Sequence, residues 1–155
     1  MGPSPGGLQW EKTAAETATT ERAPSMSRTL PLKVFIAEDS AAVAEMLTAL
    51  IEEPGRIEVV GIVESGNAAV EAIGRIRPDV VILDLQLKTG SGADVIRALR
   101  ADKGLAATRI VVISNHVSPT LKSGCLELGA DDYFDKLKEL PALLDRLTGL
   151  ASAKG

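Results

Sequence analysis

The chain has 155 residues, 45% of them hydrophobic, which is room for one domain of ordinary size with a buried core. Its net charge of −4 and isoelectric point near 5.1 leave no basic surplus to neutralise phosphates, which argues against nucleic acid as a direct partner. The single cysteine, Cys125, excludes an internal disulfide and suits a reducing, cytoplasmic setting, and no apolar run approaches the length of a membrane span. Residues 1–30 are rich in Ala, Thr, Glu, Gly and Pro, carry an isolated Trp10 and show no sustained apolar period. They read as a disordered tail without the pattern of a signal peptide, with Glu11 to Arg22 a candidate for a short helix when bound to something.

From Leu32 the character changes. Leu32 to Ala37 reads as the first strand and runs into Glu38-Asp39-Ser40; the helix after it repeats apolar residues at Val43, Met46, Leu47, Leu50 and Ile51, the spacing of one buried face, until Pro54-Gly55. Ile57 to Val63 is the second strand, followed by a helix carrying Ala69, Val70, Ile73 and Ile76 that Arg77-Pro78 breaks. The third, Asp79-Val80-Val81-Ile82-Leu83-Asp84, is apolar on both faces, the mark of a buried parallel strand, and stops on a carboxylate. Turn formers from Lys88 to Gly92 separate it from a helix with Val95, Ile96 and Leu99. Arg109 to Ser114 is the fourth strand; Ser118-Pro119 caps the next helix, with Leu121, Cys125 and Leu128 at helical spacing and Gly129 as its stop. A short strand from Asp132 to Phe134 and a leucine-rich helix from Leu140 to Leu150 complete the pattern, leaving 151–155 as a short tail and no output domain.

Five strands alternating with five helices predict an α/β fold, a doubly wound parallel sheet with helices on both faces, over residues 31–150. In such sheets ligands bind at the carboxyl ends of the strands, where Glu38, Asp39, Asp84, Ser114 and Lys136 converge. Crowded carboxylate oxygens repel one another unless a hard cation sits among them, and Mg²⁺ fits because it accepts one or two carboxylates and keeps waters. A carboxylate beside such a cation can attack phosphorus to make an acyl phosphate, and lysine offers a compact charge to a phosphoryl oxygen.

The acidic pair Glu38-Asp39 after the first strand, the lone Asp84 after the third, Ser114 after the fourth, and Tyr133 three before Lys136 after the fifth carry a specific resemblance. Over about Leu32 to Leu150 the chain resembles the receiver domain of two-component response regulators, of flavodoxin-like fold. The resemblance implies that Asp84 is the phospho-acceptor, that Glu38, Asp39, Asp84 and the Gln86 carbonyl hold Mg²⁺, and that Lys136 pairs with the acceptor or phosphoryl group. Ser114 and Tyr133 would be the switch pair, with Gln86 and His116 influencing phosphoryl lifetime. A sensor histidine kinase or histidine phosphotransfer protein would supply the phosphoryl group, and a downstream protein, which the sequence does not name, would read it.

Several positions depart from the family pattern. Glu38 stands where Asp is commoner, Lys88 where proline is frequent, Leu137 where proline often follows the lysine, and Asn115 where a smaller residue is usual. The expectation is a stand-alone phosphoacceptor switch, not an enzyme. Two alternatives stay open: a Mg²⁺-dependent phosphatase with an aspartyl nucleophile, against which Gln86 occupies the place of a second acid, and a receiver-like interaction module that is never phosphorylated.

Overall fold

The computed structural model describes residues 30–154. The disordered tail expected over residues 1–30 therefore lies outside the described residues, apart from Leu30, as does Gly155. Five strands, β1 (Leu32–Ala37), β2 (Ile57–Val63), β3 (Val80–Asp84), β4 (Arg109–Ser114) and β5 (Asp132–Asp135), form one parallel sheet in the order β2-β1-β3-β4-β5. The helices between and after them are α1 (Ala41–Ile51), α2 (Gly66–Ile76), α3 (Gly92–Ala101), α4 (Pro119–Leu128) and α5 (Leu140–Lys154), with a short 3₁₀ turn at Lys103–Leu105. This is the predicted doubly wound architecture.

Side-chain alternation along each strand divides the core in two. Leu32, Val34, Ile36, Val80, Ile82, Val111 and Ile113 face α1 and α5, packing on Leu47, Ile51, Leu143 and Leu147. Phe35, Ala37, Val81, Leu83 and Val112 face the other way, onto Ala69 and Ile73 of α2, Val95, Ile96 and Leu99 of α3, and Cys125 of α4. All five residues of β3 are buried, as expected of a central strand covered on both sides.

Four of the five β-to-α loops end in a serine that caps the next helix: Ser40, Ser65, Ser91 and Ser118 accept hydrogen bonds from the backbone N–H groups of Val43, Ala68, Asp94 and Leu121 at 3.1 to 3.2 Å. Each helix N-terminus is thereby fixed at the sheet edge that carries the acids. At the opposite edge, Arg77 ends α2 with a left-handed φ of 55°, just before Pro78.

Three expectations need correction. Met46 and Leu50 were placed on the buried face of α1, but they are 41% and 47% exposed, and Ala44 joins Leu47 and Ile51 inside. One residue along a helix is a turn of about 100°, so a helix lying on a sheet buries a narrower stripe than the apolar pattern suggested. Leu121 is likewise 40% exposed, in the first turn of α4 and one turn before the buried Cys125. The last helix runs through residues 151–154, which had been assigned to a tail, and Ala151 is buried beneath it.

Candidate acidic phosphoacceptor site

The carboxyl ends of β1, β3, β4 and β5 bring the predicted residues together. Glu38 follows β1 directly and is fully buried; Asp84 is the last residue of β3 and is 3% exposed. Lys136, one residue beyond β5, joins them: its Nζ lies 2.8 Å from Glu38 Oε1 and 3.1 Å from Asp84 Oδ2. The other oxygens are held by backbone, with Gln86 N–H donating to Asp84 Oδ1 at 3.0 Å and Ser40 N–H to Glu38 Oε2 at 2.9 Å. Asp84 is thus held from two sides.

The charges perturb one another. Burial pushes the Glu38 carboxyl above its ordinary value; Lys136 and the Ser40 N–H pull it back, while the charge of Asp84 adds to the rise. Burial lowers the Lys136 ammonium, but its hydrogen bonds and charge interactions with Glu38 and Asp84 outweigh that and leave it above its ordinary value. Lys136 is therefore charged at neutral pH, as a buried partner of two acids must be.

One oxygen each from Glu38, Asp39 and Asp84 lie within 4.8 Å of one another, close enough for one ion to touch all three. Glu38 Oε1 is itself buried, with the Lys136 ammonium 2.8 Å away. The donor set is all oxygen and anionic. The residues fit a hard divalent cation and do not suit a soft one.

Ser114 ends β4, one residue past Ile113, the register partner of Asp84, and is fully buried. Its Oγ accepts from His116 N–H at 2.9 Å, while the Tyr133 hydroxyl donates to the His116 carbonyl at 2.5 Å. A single residue therefore links both members of the expected switch pair. The Tyr133 ring is 3% exposed within the core, its polar end satisfied by the His116 carbonyl. His116 takes part through its backbone, and its residue is exposed, as are Asn115 and Gln86. Cys125 lies in the core below, where burial pushes its thiol up, consistent with packing and not with thiol chemistry.

Sequence reasoning missed a second pair at the rim. Lys88 Nζ lies 3.0 Å from Glu64 Oε1, across the loops that follow β3 and β2. No periodicity marks an exposed ion pair between residues 24 apart, although the lysine in place of a common proline was noted.

Comparison with known proteins agrees with this arrangement. A relative named DNA-binding response regulator MtrA, from Mycobacterium tuberculosis, is 37% identical over 108 residues, 70% of this chain and 45% of that protein. A protein-glutamate methylesterase/protein-glutamine glutaminase from Koribacter versatilis is 32% identical over 114 residues, 72% of this chain and 31% of that protein. The chain thus spans less than half the length of these relatives. Among solved structures, the signal receiver domain of the response regulator NarL from Mycobacterium tuberculosis superimposes with a TM-score of 0.72 at 27% identity, over 79% of this chain and 98% of that one. The family model of the response regulator receiver domain matches residues 34–148, from the first buried strand to the last helix, and the chain belongs to that family.

Proposed function

We propose that this receiver domain works as a phosphoacceptor, with Asp84 taking the phosphoryl group from the phosphohistidine of a sensor histidine kinase or histidine phosphotransfer protein. The observation that carries the reading is the setting of Asp84: a buried carboxylate at the end of the central strand, positioned by the Gln86 N–H and by Lys136, beside two further acids. An Asp84 carboxylate oxygen attacks phosphorus, an O–P bond forms, and the P–N bond to the donor imidazole breaks, its electron pair returning to nitrogen. A Mg²⁺ held by Glu38, Asp39, Asp84 and the Gln86 carbonyl would supply charge neutralisation for the oxygens of the transferring group. Lys136 holds Asp84 in position and offers its ammonium to the incoming oxygens.

Output follows from the same geometry. The Ser114 Oγ accepts a hydrogen bond from the His116 backbone N–H, which leaves its own hydroxyl proton free to donate to a phosphoryl oxygen. Movement of Ser114 then reaches Tyr133 through His116, and with it the surface of α4 and β5, where Val117, Leu121 and Leu126 are exposed. The receiver signals through that surface or hands its phosphoryl group on. In this reading the domain is modified by other proteins and turns over no substrate of its own; the DNA-binding and methylesterase names belong to longer relatives. The phosphatase alternative lacks support, since Gln86 stands where such a mechanism wants a second acid.

Intact mass after incubation with acetyl phosphate and Mg²⁺ tests the reading. One phosphoryl group is expected on the native chain and none on Asp84→Asn, whose amide keeps the shape and loses the nucleophile. Equal labelling of the variant would overturn the assignment of Asp84, and an unlabelled native chain would favour a module that is never phosphorylated.

A further inference from the structure

Two loops on the carboxyl edge are tied together over a third. Because β1 lies between β2 and β3 in the sheet, any link from the loop after β2 to the loop after β3 crosses the end of β1, where Glu38 and Asp39 stand. Two links make that crossing. Gly66 N–H donates to the Thr89 carbonyl at 2.8 Å, a backbone tie that holds the loops in register. Lys88 Nζ meets Glu64 Oε1 at 3.0 Å, a side-chain tie in which the two side chains are 61% and 55% exposed.

The second tie differs in kind from the first. An exposed pair in water is screened and exchanges readily with other partners. Because this tie crosses the end of β1, where Asp39 stands, the lysine lies at the rim of the acid pocket. The pocket's other cation, Lys136, is 11% exposed and already engaged by Glu38 and Asp84. Lys88, by contrast, is 61% exposed and open to solvent.

We propose that Lys88 is a specificity-determining residue for the phosphodonor: an ammonium parked at the mouth of the acid pocket by Glu64 and released to the incoming anionic phosphoryl group. The proposal rests on Asp84 being the acceptor. A phosphoryl group carries nearly two negative charges and three acceptor oxygens, against the single charge of the Glu64 carboxylate, so it competes successfully for a lysine on a long, rotatable stem. The pocket itself presents three carboxylates that repel such a donor, and a mobile cation at its rim offsets that repulsion on approach. Glu64 then acts against capture, since it holds the lysine back.

The test is the initial rate of labelling of the full chain by acetyl phosphate with saturating Mg²⁺, as a function of donor concentration and salt. Lys88→Ala should raise KM, here the donor concentration for half-maximal labelling rate, about three- to tenfold at low ionic strength, with kcat, here the limiting single-labelling rate constant, within about twofold, and the difference should collapse near ~1 M salt. Lys88→Arg should restore KM, and Glu64→Gln should lower it below the native value. Native KM and salt dependence in Lys88→Ala, with labelling still abolished by Asp84→Asn, would overturn the role of Lys88 alone. Parallel loss of kcat at every salt concentration would also overturn it, marking a loop support and not a capture device. Labelling that survives Asp84→Asn would instead strike the underlying assignment.

Discussion

Lys136 is the residue on which the buried charge of the site depends. With it in place, Glu38 and Asp84 share one ammonium at 2.8 and 3.1 Å; without it, two carboxylates face each other out of reach of bulk water. Breaking a buried pair from one side commonly costs about 3–5 kcal/mol, and Lys136→Ala should lie near the lower end because Asp39 keeps one side of the pocket partly solvated. The pH dependence has a definite sign. Glu38 has a folded-state pKa above its ordinary 4.5, so its contribution to stability is complete below that value and is lost as pH rises through the elevated folded one. Lys136 is also raised, from 10.5, and its contribution is complete below that value and lost only in strong alkali. Removing the lysine drives Glu38 further up. The deficit of Lys136→Ala should therefore be largest near pH 7.5 and shrink toward pH 5, as Glu38 takes a proton. Urea unfolding in chelator at the two pH values measures it, and an equal deficit at both would show that Glu38 is not the group left unpaired.

At the scale of elements, the turn from β3 into α3 is the tightest joint in the site. A Cβ on Gly92 would come 2.8 Å from Leu85 Cα, 2.9 Å from Leu85 O and 3.1 Å from Asp84 O, all of them backbone atoms that cannot swing aside. Gly92→Ala must therefore displace the loop that carries the acceptor, at a cost of about 1–3 kcal/mol and with slower labelling by acetyl phosphate. Gly74, inside α2, has nothing within 4 Å of its Cβ position, so Gly74→Ala should gain up to about 1 kcal/mol from helix propensity and leave labelling unchanged. Urea unfolding and labelling rates on the two variants check both halves; a silent Gly92→Ala would mean that the joint is slack. The serine caps act at the same scale. They start four helices at the ligand-bearing edge, and of these the sequence reading singled out only Ser118, because Pro119 follows it.

For the whole molecule, the acid pocket links metal binding to stability. A cation bound by the folded chain and not by the unfolded one stabilises by RT ln(1 + [L]/Kd), about 2.7 kcal/mol at a metal concentration one hundred times Kd. Mg²⁺ should therefore raise the unfolding midpoint of the native chain, and Asp39→Ala should respond much less while starting from equal or higher stability in chelator, since one of three crowded carboxylates is gone. An identical Mg²⁺ response would remove Asp39 from the ligand set. The sequence by itself determined the five strands and five helices, because apolar runs ending on acids and helical repeats between Gly and Pro breaks are local patterns that only one architecture accommodates. It also placed Asp84, Ser114 and Lys136, since each stands at or just past the end of a strand, while Tyr133 came from the family resemblance. Only the tertiary structure decided that β1 lies between β2 and β3, that Met46 and Leu50 stay outside, and that Lys88 reaches Glu64 while Lys136 also reaches Glu38. Those outcomes depend on which crossover lands beside which strand and on how wide a stripe each helix covers. Periodicity records which side of its own element a residue occupies, and carries no information about what stands opposite.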